Sequence, residues 1–162
     1  MRCARKAANG EPVIRTLAVR NYRTLREFIV PLAGLSLVTG PNGSGKSNVY
    51  KSLRLLAETA GGGVVAALAR EGGLDSTLWA GPEDISPAMR RGEVPVQGTR
   101  RQQAVSLALG FVDDEFGYAI DLGLPTPSAS AFAHDPVIKS KVVWAGELPR
   151  PAALLVERRG PL

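Results

Sequence analysis

Residues 40 to 47 read Gly40-Pro41-Asn42-Gly43-Ser44-Gly45-Lys46-Ser47. Glycine, four intervening residues, then Gly-Lys-Ser is the spacing of a phosphate-binding loop. The residue types set the chemistry. Glycines let the backbone turn its N–H groups inward, where they can cradle phosphate oxygens. The ammonium of Lys46 can reach the β- and γ-phosphates of a nucleotide, and the hydroxyl of Ser47 can be offered to Mg²⁺. Asn48 comes directly after and extends the candidate binding set.

Such a loop needs an element on each side. Leu35 to Thr39 is a short, mostly apolar run that suits a buried strand leading in. After the loop, Val49, Tyr50, Leu53, Leu56 and Ala60 recur at helical spacing. The sequence therefore predicts a helix to about Thr59, stopped by Gly61-Gly62-Gly63, with the positive end of its dipole aimed at the phosphates. Upstream, Val13 to Val19 and Glu27 to Leu32 read as a strand pair around a turn at Asn21-Tyr22-Arg23. Downstream, Val64 to Arg70 reads as a short second helix. Residues 74 to 103, rich in Gly, Pro and charge, read as loops. Residues 105 to 111 and 116 to 122 alternate around an acidic turn, which predicts an antiparallel hairpin. A Pro/Ser-rich loop over 124–132 and further strands at Val137 to Trp144 and Ala153 to Val156 complete the order. The fold class is α/β with an α+β tendency, because strand and helix stop alternating after the first helix.

The chain has 162 residues, 44% hydrophobic and 22% charged, the balance of one globular domain. Residues 1–11 read as a disordered basic tail, and 12–162 as the domain. Cys3 is the single cysteine, so no internal disulfide can form, and a reducing cytoplasm is the expected setting. The longest apolar stretch, Val64 to Ala69, is too short to span a bilayer. The net charge of +5 allows contact with phosphates or nucleic acid. However, the pairs Arg90-Arg91, Arg100-Arg101 and Arg158-Arg159 are not interleaved with aromatics and read as solvated charge.

Other residues are weaker candidates. Asp114 and Glu115, after the run Leu107 to Val112, could serve as a magnesium-orienting acid and a water-polarising acid. The hairpin pattern favours the other reading, turn residues between paired strands with no chemistry. Tyr22 and Arg23 precede the loop and could contact the base or the phosphates. His134 reads as a surface residue, and Trp79 and Trp144 as packing residues.

The loop, with Asn48 appended, resembles that of ABC-type ATPases of the RecF/SMC kind, including related prokaryotic AAA-like ATPases. Val19-Arg20-Asn21-Tyr22-Arg23-Thr24-Leu25 is similar to that family's opening hairpin. Ser47-Asn48 and the helix through Leu55-Leu56 resemble its first helix. Asp135-Pro136 with Ile138, Trp144 with Gly146, and Leu154 to Gly160 resemble later strands of its first lobe. The resemblance implies ATP and Mg²⁺ as cofactors. It also implies paired heads that close on two nucleotides and act on DNA or on a partner protein. The family's Walker B acids, signature motif and switch histidine lie in a C-terminal half that is not recognisable here. The expectation is thus lobe I of an incomplete head, hydrolysing ATP only when completed by those elements or by a second chain. A small P-loop kinase and a non-catalytic binding module are the alternatives.

Overall fold

The computed structural model describes residues 2–6, 14–81, 86–94, 106–125 and 135–160. Residues 95–105 and 126–134, with Arg100-Arg101 and His134, lie outside the described residues.

The chain runs through β1 (Arg2–Lys6), β2 (Thr16–Tyr22), β3 (Leu25–Pro31), β4 (Leu35–Thr39), α1 (Lys46–Ala60), α2 (Val64–Arg70), α3 (Leu74–Thr77) and α4 (Pro87–Arg90). It continues with β5 (Leu107–Val112), β6 (Phe116–Gly123), β7 (Val137–Ala145), a 3₁₀ turn (Pro151–Ala153) and β8 (Leu154–Arg159). Six strands form one sheet in the order β3-β2-β5-β6-β7-β8, and each neighbouring pair is antiparallel. The two expected hairpins, β2–β3 and β5–β6, are both present.

Alternation along these strands builds the core. Val19 pairs with Leu109 and Leu109 with Ile120, so the three share one face of the sheet. Leu17, Leu107 and Leu122 are fully buried on the same side. Against this face α1 sets Val49, Leu55 and Leu56, and α2 sets Val64, Ala67 and Leu68. The buried hydroxyls of α1 are satisfied locally: Ser52 donates to the Val49 carbonyl and Thr59 to the Leu56 carbonyl. Helix α1 ends at Gly61, and Gly62 carries a positive φ of 76°. The described helices include none long and apolar enough to cross a membrane.

Three expectations are corrected. Arg2–Lys6, read as part of a disordered tail, forms β1 and pairs antiparallel with β4. The physical reason is that β4 lies outside the six-stranded sheet and needs a partner for its backbone groups. For the same reason β4 is not a buried strand: Leu35 is 64% exposed and Leu37 is 62% exposed. Finally, residues 74–94 are not all loop. Leu74 and Leu78 enter the core around α3. Helix α4 starts at a Ser86-Pro87 signal, with Ser86 Oγ accepting from the Met89 amide at 3.2 Å.

Candidate functional site

Strand β4 delivers the chain to residues 40–45, and α1 begins immediately after them. Two left-handed glycines make the turn: Gly43 has φ 81° and Gly45 has φ 89°. Gly45 cannot be replaced without strain for a second reason. A Cβ there would sit 2.5 Å from Thr24 Oγ1. The loop is thus shaped by backbone conformation and by a close neighbour together.

At its mouth, α1 has Gly45 as N-cap, with no side-chain cap and no acid in the first turn. The Asn48 amide donates to the Gly45 carbonyl at 2.9 Å, while the amides of Lys46 and Ser47, without side-chain caps, face the position an anion would take. Lys46 Nζ donates to the Gly40 and Pro41 carbonyls, each at 2.7 Å. A lysine ammonium carries three donors, so two hold it across the loop and one is left for a phosphate oxygen. Ser44 Oγ is buried with no hydrogen-bond partner. An orphaned oxygen inside such a loop is a group that a polar ligand would satisfy. Ser47, in the first turn of α1, is exposed. Residues 40–48 therefore fit a nucleotide's phosphates, held by the loop amides and Lys46, with Ser47 able to supply one protein oxygen to a magnesium ion. Magnesium sites built largely from phosphate oxygens and water need few protein ligands. The described residues contain no cluster of three or more His, Cys, Asp or Glu that could hold a metal by themselves.

The weaker candidates fall elsewhere. Tyr22 is fully buried, and its hydroxyl donates to Glu71 Oε2 at 2.8 Å. Burial, reinforced by the Glu71 carboxylate, pushes its pKa up to about 12. Its ring belongs to the core and is not presented to a base. Arg23 donates to Glu71 Oε2 at 2.8 Å, and that carboxylate raises its pKa further. The arginine is thus committed to α2's end rather than to the loop.

Asp114 and Glu115 sit in the β5–β6 turn of the large sheet. There Asp113 Oδ1 accepts from the amides of Glu115 and Phe116 at 2.8 and 2.7 Å, while Asp114 pairs with Arg15 at 2.6 Å. Val112, which leads into that turn, pairs with Thr16, at the opposite end of β2 from the Tyr22–Leu25 turn that touches the loop. The structure does not bring Asp114 and Glu115 together with the loop.

Thr24 is the residue that sequence reasoning missed. Its Oγ1 accepts from Asn48 Nδ2 at 2.8 Å. The available signal was positional only: Thr24 stands next to the turn residues Asn21-Tyr22-Arg23.

A family model described as "AAA domain, putative AbiEii toxin, Type IV TA system" matches residues 35–102. The match begins at β4 and takes in the whole loop and α1. It supports a P-loop ATPase-like family. No curated protein and no solved structure matches the chain.

Proposed function

We propose that this chain is the ATP- and Mg²⁺-binding part of an ATPase of the RecF/SMC kind. The observation that carries the reading is Lys46, held across the loop by two carbonyls in front of an uncapped helix N-terminus. That arrangement holds a lysine charge and a row of amides at one anion site. The match over residues 35–102 supports the nucleotide-binding, P-loop ATPase-like part of this reading. Nucleotide binding is the activity assigned to residues 40–48, with Ser47 as the magnesium ligand.

Hydrolysis is a separate matter. A water-activating carboxylate has to stand near the γ-phosphate, whereas Asp114 is paired with Arg15 and Glu115 stands with it in the β5–β6 turn, held there by its amide. Hydrolysis is therefore assigned to carboxylates supplied by further elements or a second head. Action on DNA or a partner protein, and a cytoplasmic setting, belong to this proposal. So does a role in a toxin–antitoxin system, which the matched family's description mentions.

Titration calorimetry with ATP at millimolar concentration, with and without Mg²⁺, tests the reading. Saturable binding that tightens with Mg²⁺ is the expected result, with phosphate release by this chain alone close to background. Absence of any binding heat sinks the proposal. Turnover in the usual enzymatic range of about 1 s⁻¹ or more sinks the division between binding and hydrolysis.

A further inference from the structure

The β2–β3 turn reaches the loop through one side chain. Thr24 Oγ1 holds Asn48 Nδ2 at 2.8 Å on one side. On the other it lies 2.5 Å from where a Cβ of Gly45 would stand. Behind it, the buried Leu25 lies 3.4 Å from the same point. Thr24 therefore touches the chain just before Lys46 and just after Ser47, the two residues that carry the phosphate chemistry.

The turn that presents Thr24 is fixed from the core side. Asn21 and Arg23 hold left-handed backbone conformations, φ 60° and 50°. Non-glycine residues keep such angles only where the surroundings over-determine them. Here the surroundings do. The Arg23 amide donates to the Thr77 carbonyl at 2.7 Å, and the Trp79 amide to the Asn21 carbonyl at 2.9 Å. Asn21 Nδ2 donates to the Ser106 carbonyl at 3.0 Å. Glu71 accepts from both Tyr22 and Arg23. Core, α2 and α3 thus hold the turn rigid, and Thr24 is its contact with the loop.

We propose that Thr24 is a positioning residue for the phosphate loop. By holding Asn48 and backing Gly45, it keeps the amides at the start of α1 aimed at the phosphates before a nucleotide arrives. Preorganisation of this kind raises affinity by removing an ordering cost at binding. The inference rests on the phosphate-binding reading of residues 40–48.

The test compares ATP affinity, by calorimetry with Mg²⁺, across a small set of full-length variants. Thr24→Val keeps the branched shape and removes the acceptor. It should weaken ATP binding by about threefold to tenfold, the loss expected of one neutral hydrogen bond, while the melting temperature stays at the wild-type value. Thr24→Ser keeps the oxygen and should bind within about twofold of the wild type. Asn48→Ala should lose as much as Thr24→Val, and the double variant should lose no more than either, because both break one contact. Wild-type affinity in Thr24→Val, no rescue by serine, or losses that multiply in the double variant each overturn the positioning role. A wild type that binds no ATP overturns the phosphate-binding reading itself, and this inference with it. A wild type and Thr24→Val that bind alike overturn the positioning role alone.

Discussion

The two sheets of this protein are built on opposite terms. The six-stranded sheet buries Leu17, Leu107 and Leu122 completely and carries α1 and α2 on the same face. The β1–β4 pair, which delivers the chain to the phosphate loop, leaves Leu35 and Leu37 more than half exposed. The loop is therefore not anchored by the strand that enters it. It is anchored by the helix that leaves it and by the turn beside it. Helix α1 sinks Val49, Leu55 and Leu56 into the core, and the β2–β3 turn packs Thr24 against Gly45 and Asn48. Stability is concentrated in one region and binding chemistry at the edge of another, a common division in proteins.

This contrast can be broken by substitution. Leu17→Ala or Leu107→Ala, each at a fully buried site, should cost about 2 to 5 kcal/mol of unfolding free energy in urea titrations. A smaller cost would mean that the large sheet is not the main source of stability.

Alkaline pH gives the next largest effect. Tyr22 titrates at about 12 in the folded protein, above the value near 10 expected of an unfolded chain. The folded state therefore holds this proton more tightly. The stabilisation is fully present below pH ~10 and is lost as pH rises toward ~12, at most about 3 kcal/mol. Tyr22→Phe should show a flatter stability profile over that window. An identical profile would remove Tyr22 as the cause.

Gly45→Ala should destabilise the fold by about 1 to 2 kcal/mol, because φ 89° is a left-handed conformation. It should also abolish ATP binding, since the new Cβ collides with Thr24. Binding that survives at wild-type affinity would show that the loop tolerates a different shape. The smallest effect belongs to the exposed sheet. Leu37→Ser should shift stability by no more than about 0.5 kcal/mol, the usual range for exposed positions. A loss near that of Leu17→Ala would erase the contrast between the sheets.

Most of this architecture was legible in the sequence, for reasons that differ by element. The hairpins β2–β3 and β5–β6 announce themselves by period-two alternation around polar turns. Helices α1 and α2 are bounded by glycines that act through backbone conformation alone, so no tertiary knowledge is needed. The loop itself is legible because glycine, lysine and serine each have one chemical reason to stand there. Strand β4 misled because apolar residues predict burial only when a packed layer waits for them, and residues 35–39 lie outside the main sheet. Strand β1 was missed because Arg-Cys-Ala-Arg-Lys has weak intrinsic strand preference, and its pairing with β4 comes from backbone hydrogen bonds. Tyr22 was expected at the site and Thr24 was not, for a geometric reason. Sequence placed the turn near the loop but could not say which side chain faces inward to Glu71 and which faces Asn48.

Everything proposed for this protein depends on residues 40–48 binding the phosphates of ATP, with Lys46 as the charge that holds them. Calorimetric titration of Mg-ATP into the wild type and into Lys46→Ala, side by side, probes that dependence without intermediaries. The wild type should bind saturably. Lys46→Ala should lose at least about tenfold, as the one charge-assisted hydrogen bond left for a phosphate oxygen would give, with matching melting temperatures for the two proteins. Equal affinity in both, or none in either, would contradict it.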